Sequence, residues 1–183
     1  MRIGLEISYD GTSYFGWQKQ TGGGTVQQVV EEKLSILSGT KIDVIGCGRT
    51  DTGVHASQFY LHTELEESVQ EKIKLYHLNS LLPWNISVNR IFRTGENFHS
   101  RFDANRRKYI YRLRTRKNPF HRNYCYQFLH ESRIQLGRLE EVAAMILQTN
   151  DFSAFTKSNS GLNHFECQIH ESQWVNPEPG VFE

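Results

Sequence analysis

The chain opens on strict alternation. Ile3, Leu5, Ile7 and Tyr9 fall on one face and Arg2, Glu6 and Ser8 on the other, which predicts a half-buried strand over residues 2–9. Asp10-Gly11 is a turn signal, and the aromatic segment Tyr14-Phe15-Gly16-Trp17 leads into the flexible Gly22-Gly23-Gly24. The period then lengthens. Val26, Val29, Val30, Leu34 and Leu37 recur at helical spacing behind Thr25, an N-cap residue with Gln28 three positions on, and Gly39 supplies the stop. Short strands are predicted at about 42–46 and 57–63, a second helix from Val69 to Leu81 ended by Pro83, and a strand from Ile86 to Phe92. Strand, helix, strand, strand, helix, strand is the split βαβ order of a ferredoxin-like unit: an antiparallel sheet with both helices on one face.

A second unit is predicted from near Asn97. Arg107 to Arg114 reads as a strand in which Lys108 and Ile110 alternate with Tyr109 and Tyr111. Tyr124 to Leu129 reads as another strand. Leu136, Leu139, Val142, Ala143, Ile146 and Leu147 mark an amphipathic helix. Phe152–Phe155, Gln168–Val175 and Val181-Phe182 read as strand fragments, with Pro177-Glu178-Pro179-Gly180 as a hairpin turn. The expected fold is α+β: two ferredoxin-like (βαββαβ-type) units with antiparallel sheets, over residues 1–95 and 96–183. The second is expected to be incomplete, since a repeat of the first would need one more strand and helix after Gly180. No internal sequence repeat or low-complexity region is evident.

Composition changes this picture little. With 183 residues, 38% hydrophobic and 22% charged, the chain suits a soluble globular protein rather than a disordered one. No apolar run approaches the roughly 18 residues of a membrane-spanning helix. The amino terminus enters a charged, alternating strand, so no signal peptide is expected. Cys47, Cys125 and Cys167 are odd in number and far apart, which points to reduced thiols in a cytoplasmic protein. His55, His62 and His99 lack a close metal-ligand spacing, and no metal is expected.

Charge adds more. The net charge of +1 argues against a general polyanion binder. Yet Arg101, Arg106, Arg107, Lys108, Arg112, Arg114, Arg116, Lys117 and Arg122 lie within one short stretch against the single acid Asp103, so the basic charge is local. A solvated charged strand would look the same.

Candidate chemistry concentrates in Gly46-Cys47-Gly48-Arg49-Thr50-Asp51-Thr52-Gly53-Val54-His55-Ala56, between two predicted strands. A loop that spends three glycines there turns tightly or lets its backbone come close to something. Asp51 is its one carboxylate and Arg49 lies two residues away, close enough to hold it ionised if the side chains meet. A plain Gly-rich turn with a surface Arg–Asp pair is the competing reading. A phosphate loop is excluded: Asp51 stands where G-x-G-x-x-G has its third glycine, no amphipathic helix follows, and there is no G-K-[S/T].

The stretch Gly48–Ala56 resembles the G-R-T-D-x-G-V-H-A motif of the TruA family of tRNA pseudouridine synthases. Further resemblances follow in the family's order, from residue 3 to about residue 182. Tyr9-Asp10-Gly11-Thr12, Gly16-Trp17-Gln18 and Thr25-Val26-Gln27 resemble its amino-terminal signature. Phe98-His99-Ser100-Arg101-Phe102 with Tyr109-Ile110-Tyr111, and Asn150-Asp151-Phe152-Ser153-Ala154-Phe155, resemble two later ones. The resemblance implies that Asp51 is the catalytic aspartate, acting on uridines at tRNA positions 38–40 in the anticodon stem-loop, in a homodimer that needs no cofactor. It gives Arg49 the space vacated by the flipped base and contact with the carboxylate, and Tyr109 a place on the uracil ring. Arg101, Arg106, Arg107 and Lys108 are expected to contact phosphates, which position RNA without reading its sequence. The family has a further carboxy-terminal segment with an arginine motif near the active site. Its absence after Gly180 is read as a fragment or a shortened gene product. A non-catalytic RNA-binding remnant is therefore the alternative.

Overall fold

The computed structural model describes residues 1–156 and 165–183. The chain divides into two compact units, Met1–Lys108 and Tyr109–Glu183, and its class is α+β.

In the first unit β1 (Arg2–Tyr9), α1 (Val26–Ser38), β2 (Ile45–Gly46), β3 (Ala56–Glu64), α2 (Glu67–Gln70), α3 (Leu75–Leu81) and β4 (Ile86–Arg93) follow the ferredoxin-like order. The sheet runs β2-β3-β1-β4 with every neighbouring pair antiparallel. β1 is central, and its alternation does what the sequence implies. Ile3, Leu5, Ile7 and Tyr9 enter the core with Phe59 and Leu61 of β3, Ile86 and Val88 of β4, Val26, Val30 and Leu34 of α1, and Leu78 of α3.

Helix α1 begins where Thr25 caps it, its side chain accepting from the Gln28 backbone N–H. It ends at Gly39, whose left-handed φ of 77° lets its N–H reach the Ser35 carbonyl. One buried polar group crosses the packing. The Glu31 carboxylate takes Lys19 Nζ at 2.6 Å, Gln27 Nε2 at 3.0 Å and the Val44 N–H at 3.1 Å, so its charge is met on three sides. The single helix expected over Val69–Leu81 is two shorter ones. The backbone leaves the helix at Glu71–Lys74, where Ile73 must still be buried, and restarts at Leu75 without a capping side chain.

The second unit contains β5 (Leu113–Arg114), β6 (Tyr126–Gln127), α4 (Leu136–Gln148) and β7 (Val181–Phe182), with strand order β6-β5-β7. Helix α4 is where the periodicity placed it. The strands are far shorter than the sequence suggests, and β5 and β6 pair in parallel. A strand persists only where a neighbour shares its hydrogen bonds; of Arg107–Arg114, among the described residues, Leu113 and Arg114 hold ladder positions and Arg112 adds its carbonyl, which accepts from the Tyr126 N–H at 2.8 Å. Ser153–Phe155 forms a turn of 3-10 helix rather than a strand. Of Gln168–Val175, Val175 is the residue paired among the described residues, its N–H and carbonyl exchanging bonds with Glu183 at 2.9 and 3.0 Å.

Candidate active site

The loop 46–56 leaves β2 and returns into β3, and it is laid across the segment that follows β1. Three points of attachment hold its middle and far end. The Tyr9 hydroxyl meets Thr50 Oγ1 at 2.9 Å, and the Trp17 N–H donates to the Thr50 carbonyl at 3.0 Å. The Gly53 N–H donates to the Tyr14 carbonyl at 3.2 Å. At His55 the Gly11 N–H lies 3.1 Å from Nδ1, and Asp10 Oδ1 lies 3.0 Å from the same nitrogen. His55 is thus a hydrogen-bonding member of the loop's frame.

The two glycines of the amino-terminal signature now have reasons. A β-carbon on Gly11 would fall 2.0 Å from the Val54 carbonyl oxygen, and one on Gly16 2.4 Å from the Thr50 oxygen. Gly16 in addition has a φ of 84°, which L side chains seldom adopt. Beneath the loop, Trp17 is buried between Tyr9 and Phe59, its ring 4.3 Å from that of Phe59. Burial pushes the Tyr9 hydroxyl up to about 12, with the Thr50 bond opposing, so Tyr9 remains a neutral phenol able to donate.

On this frame the two reactive candidates are left outward. Arg49 and Asp51 are both exposed. Among the described residues they form no ion pair with one another or with a third group. The surface Arg–Asp pair that the spacing allowed is therefore not made. The backbone of Asp51 is tied down, its carbonyl accepting from the Val54 N–H at 3.1 Å, while its carboxylate is open to a ligand. A fixed backbone with an exposed carboxylate suits a group that must meet a reacting atom without a competing partner to displace.

The basic residues divide. Arg107 turns toward the loop: its guanidinium donates to the Cys47 carbonyl at 2.8 Å and lies 3.5 Å from the Arg101 carbonyl oxygen. Arg101 lies over the Phe102 ring, 5.8 Å from its centroid. Arg106 and Lys108 are exposed. Tyr109 belongs to the second unit and is 80% exposed. Among the described residues no group of three His, Cys, Asp or Glu side chains is disposed to hold a metal ion, and no helix is long and apolar enough to cross a membrane.

Sequence reasoning missed Thr50, the residue on which two of the attachments converge. Nothing in a lone threonine signals such a role. The available clue was indirect: two aromatics, Tyr9 and Trp17, on either side of a turn ahead of a Gly-rich loop.

Comparison with known proteins gives this arrangement its context. The family model described as tRNA pseudouridine synthase matches residues 7–103, which take in the frame, the loop and the start of the basic segment. The chain is 36% identical over 177 residues to tRNA pseudouridine synthase A of Bacteroides thetaiotaomicron, covering 97% of this chain and 65% of that protein. It is 37% identical over 181 residues to tRNA pseudouridine synthase A of Clostridium acetobutylicum, covering 98% and 73%. With tRNA pseudouridine synthase A of Bacillus subtilis it shares 35% over 185 residues, covering 99% and 74%. The chain thus spans about two thirds to three quarters of the length of these relatives. Similarity this continuous, through the loop and the residues that frame it, means that the chain belongs to the tRNA pseudouridine synthase family.

Proposed function

We propose that this chain isomerises uridine to pseudouridine in tRNA, in the anticodon stem-loop at positions 38–40, with Asp51 as the catalytic carboxylate. One observation carries the reading: Asp51 is presented, exposed and unpaired among the described residues, on a loop held by the backbone of Thr50 and Gly53 and by the side chain of His55. The reaction breaks the C1′–N1 bond, turns the base, joins C1′ to C5 and releases the C5 proton. No electrons are exchanged and no group is added. A carboxylate beside the ribose does this by attacking C1′ or by removing the 2′ proton to give a glycal, and both routes are open to Asp51. Either requires the uridine to leave its stack, which calls for a group to fill the gap and a ring to receive the base. Arg49, exposed beside Asp51, is assigned the first task and Tyr109 the second. Arg101, Arg106 and Lys108 are assigned to phosphates. The enzyme is read as a cytoplasmic homodimer.

The test is Asp51→Asn, which keeps shape and removes the charge. Tritium release from C5-labelled tRNA should vanish while tRNA affinity stays within a few fold. Substantial residual turnover would remove Asp51 from the chemistry. Tight binding without turnover by the unsubstituted chain would favour a non-catalytic RNA-binding protein.

A further inference from the structure

We infer that His62 and Ser100 are positioning residues that bolt the entry of the Asp51 loop to the sheet face opposite the helices. His62 lies across the β1–β3 ladder from Gly4, on the face away from Ile3, Leu5 and Ile7. Among the described residues no helix side chain contacts His62. The segment Phe98–Asp103 does, and His62 is only 2% exposed beneath it.

A buried imidazole needs partners for its nitrogens. His62 Nδ1 stands 2.9 Å from Ser100 Oγ and 3.1 Å from the Ser100 backbone N, and Ser100 Oγ donates to the Ile45 carbonyl at 2.7 Å. With a proton on Nδ1 the ring donates to the hydroxyl, which donates onward to Ile45. With Nδ1 bare it accepts the Ser100 N–H. Both tautomers tie the ring to residue 100. The ring edge is further fixed against Phe98 and His99, at centroid distances of 5.9 and 4.9 Å.

Ile45 is the ladder partner of His62 and the last residue but one before the loop's Cys47. Ser100 therefore holds the Ile45 carbonyl. Two residues on, Arg107, which follows the covering segment in the chain, holds the Cys47 carbonyl, while the Cys47 N–H donates to the Tyr60 carbonyl at 2.8 Å. The far half of the loop hangs on Tyr9, Gly11, Tyr14 and Trp17. This near half, which leads into Arg49, hangs on the Phe98–Arg107 segment, and that segment is anchored at His62.

The catalytic consequence rests on the proposed function; the mechanical one does not, and the experiment separates them. The full chain is compared with His62→Leu, which fills the volume without nitrogens, with Ser100→Ala, and with His62→Asn, whose amide can place a donor or acceptor where Nδ1 stands. Hydrogen exchange should quicken roughly tenfold or more in peptides covering residues 45–52 for the first two variants, with α1 peptides unchanged and His62→Asn near the parent. In tRNA turnover, kcat should fall by about tenfold or more with KM within about threefold, again with recovery in His62→Asn. Unchanged exchange at 45–52, equal quickening in α1, an Asn variant no better than Leu, or local loosening with unaltered kcat would each overturn the inference. If His62→Leu does not fold, Ser100→Ala decides. If the parent chain shows no turnover, the functional reading fails and exchange alone decides the bolt.

Discussion

The indole of Trp17 lies directly under Gly46: a β-carbon at position 46 would fall 2.6 Å from its Nε1 and 2.8 Å from Cε1 of Phe59. Neither ring has room to retreat, because both are buried against Tyr9 in the core. Gly46→Ala should therefore cost about 1–3 kcal/mol, the usual penalty of overpacking. Gly48→Ala is the control, since its added methyl would meet only Arg107 Nε at an ordinary 3.5 Å. Thermal denaturation of the two variants should show a clear loss for position 46 and little for position 48.

That contact also shows what the sequence could and could not tell. The alternation of Ile3 to Tyr9, the Thr25 cap and the Gly39 stop set β1 and α1 by local rules, and the structure keeps them. The three glycines of the loop were visible as a demand for close approach, but what approaches Gly46 is a tryptophan 29 positions earlier in the chain, and no local rule names it. The same holds for His62, whose burial comes from a segment almost 40 residues downstream. In the second unit local patterning failed differently. Tyr109, Ile110 and Tyr111 alternate as a strand should, yet pairing decides strands, and these exposed residues have no ladder partner among the described residues.

Tyr9 gives an alkaline signature. Burial raises its hydroxyl to about 12, so above the ordinary value of 10.0 the unfolded chain loses a proton that the folded chain keeps. Stability is complete below pH 10 and declines as pH rises toward 12. Tyr9→Phe should shorten that decline. It should also lose about 1 kcal/mol at neutral pH, because Thr50 Oγ1 gives up its partner. Melting curves between pH 8 and 11 on both proteins give the comparison; an identical alkaline slope would show that Tyr9 does not control it.

His62 gives the acid counterpart. Burial first, then Arg2 and His99, hold its imidazole below the ordinary 6.5, against the opposing pull of Glu64 and Asp103. As pH falls below that value the unfolded chain takes up a proton that the folded chain resists. The contribution is present above about pH 6.5 and is lost on acidification, by up to about 1.4 kcal/mol per pH unit within the window. The parent should melt progressively lower from pH 7 to 5, and His62→Asn should show a shallower fall. Equal slopes would mean that other groups set the acid limit.

Arg106 and Arg107 are adjacent in sequence and equal in charge, yet the structure gives them different work. Both are exposed, but Arg107 spends its guanidinium on the Cys47 carbonyl, whereas Arg106 makes no hydrogen bond or ion pair among the described residues. On the proposed function, Arg106 is free to meet a phosphate and Arg107 first has a loop to hold. Replacing Arg106 by Ala should lower the slope of log affinity for tRNA against log salt by about 0.7–0.9, one phosphate contact's worth. Replacing Arg107 by Ala should change that slope less and loosen the amides of residues 46–49 more, because an orphaned carbonyl and an unbraced turn remain. Both carbonyls are met by one nitrogen, Nη2, so Arg107→Lys, whose single ammonium can turn its protons to the same two oxygens, should recover part of the loop's protection where Arg107→Ala recovers none. Salt titrations of tRNA binding and hydrogen exchange on the same three variants measure both effects. Equal slope changes at 106 and 107 would place both side chains on the RNA and dissolve the distinction.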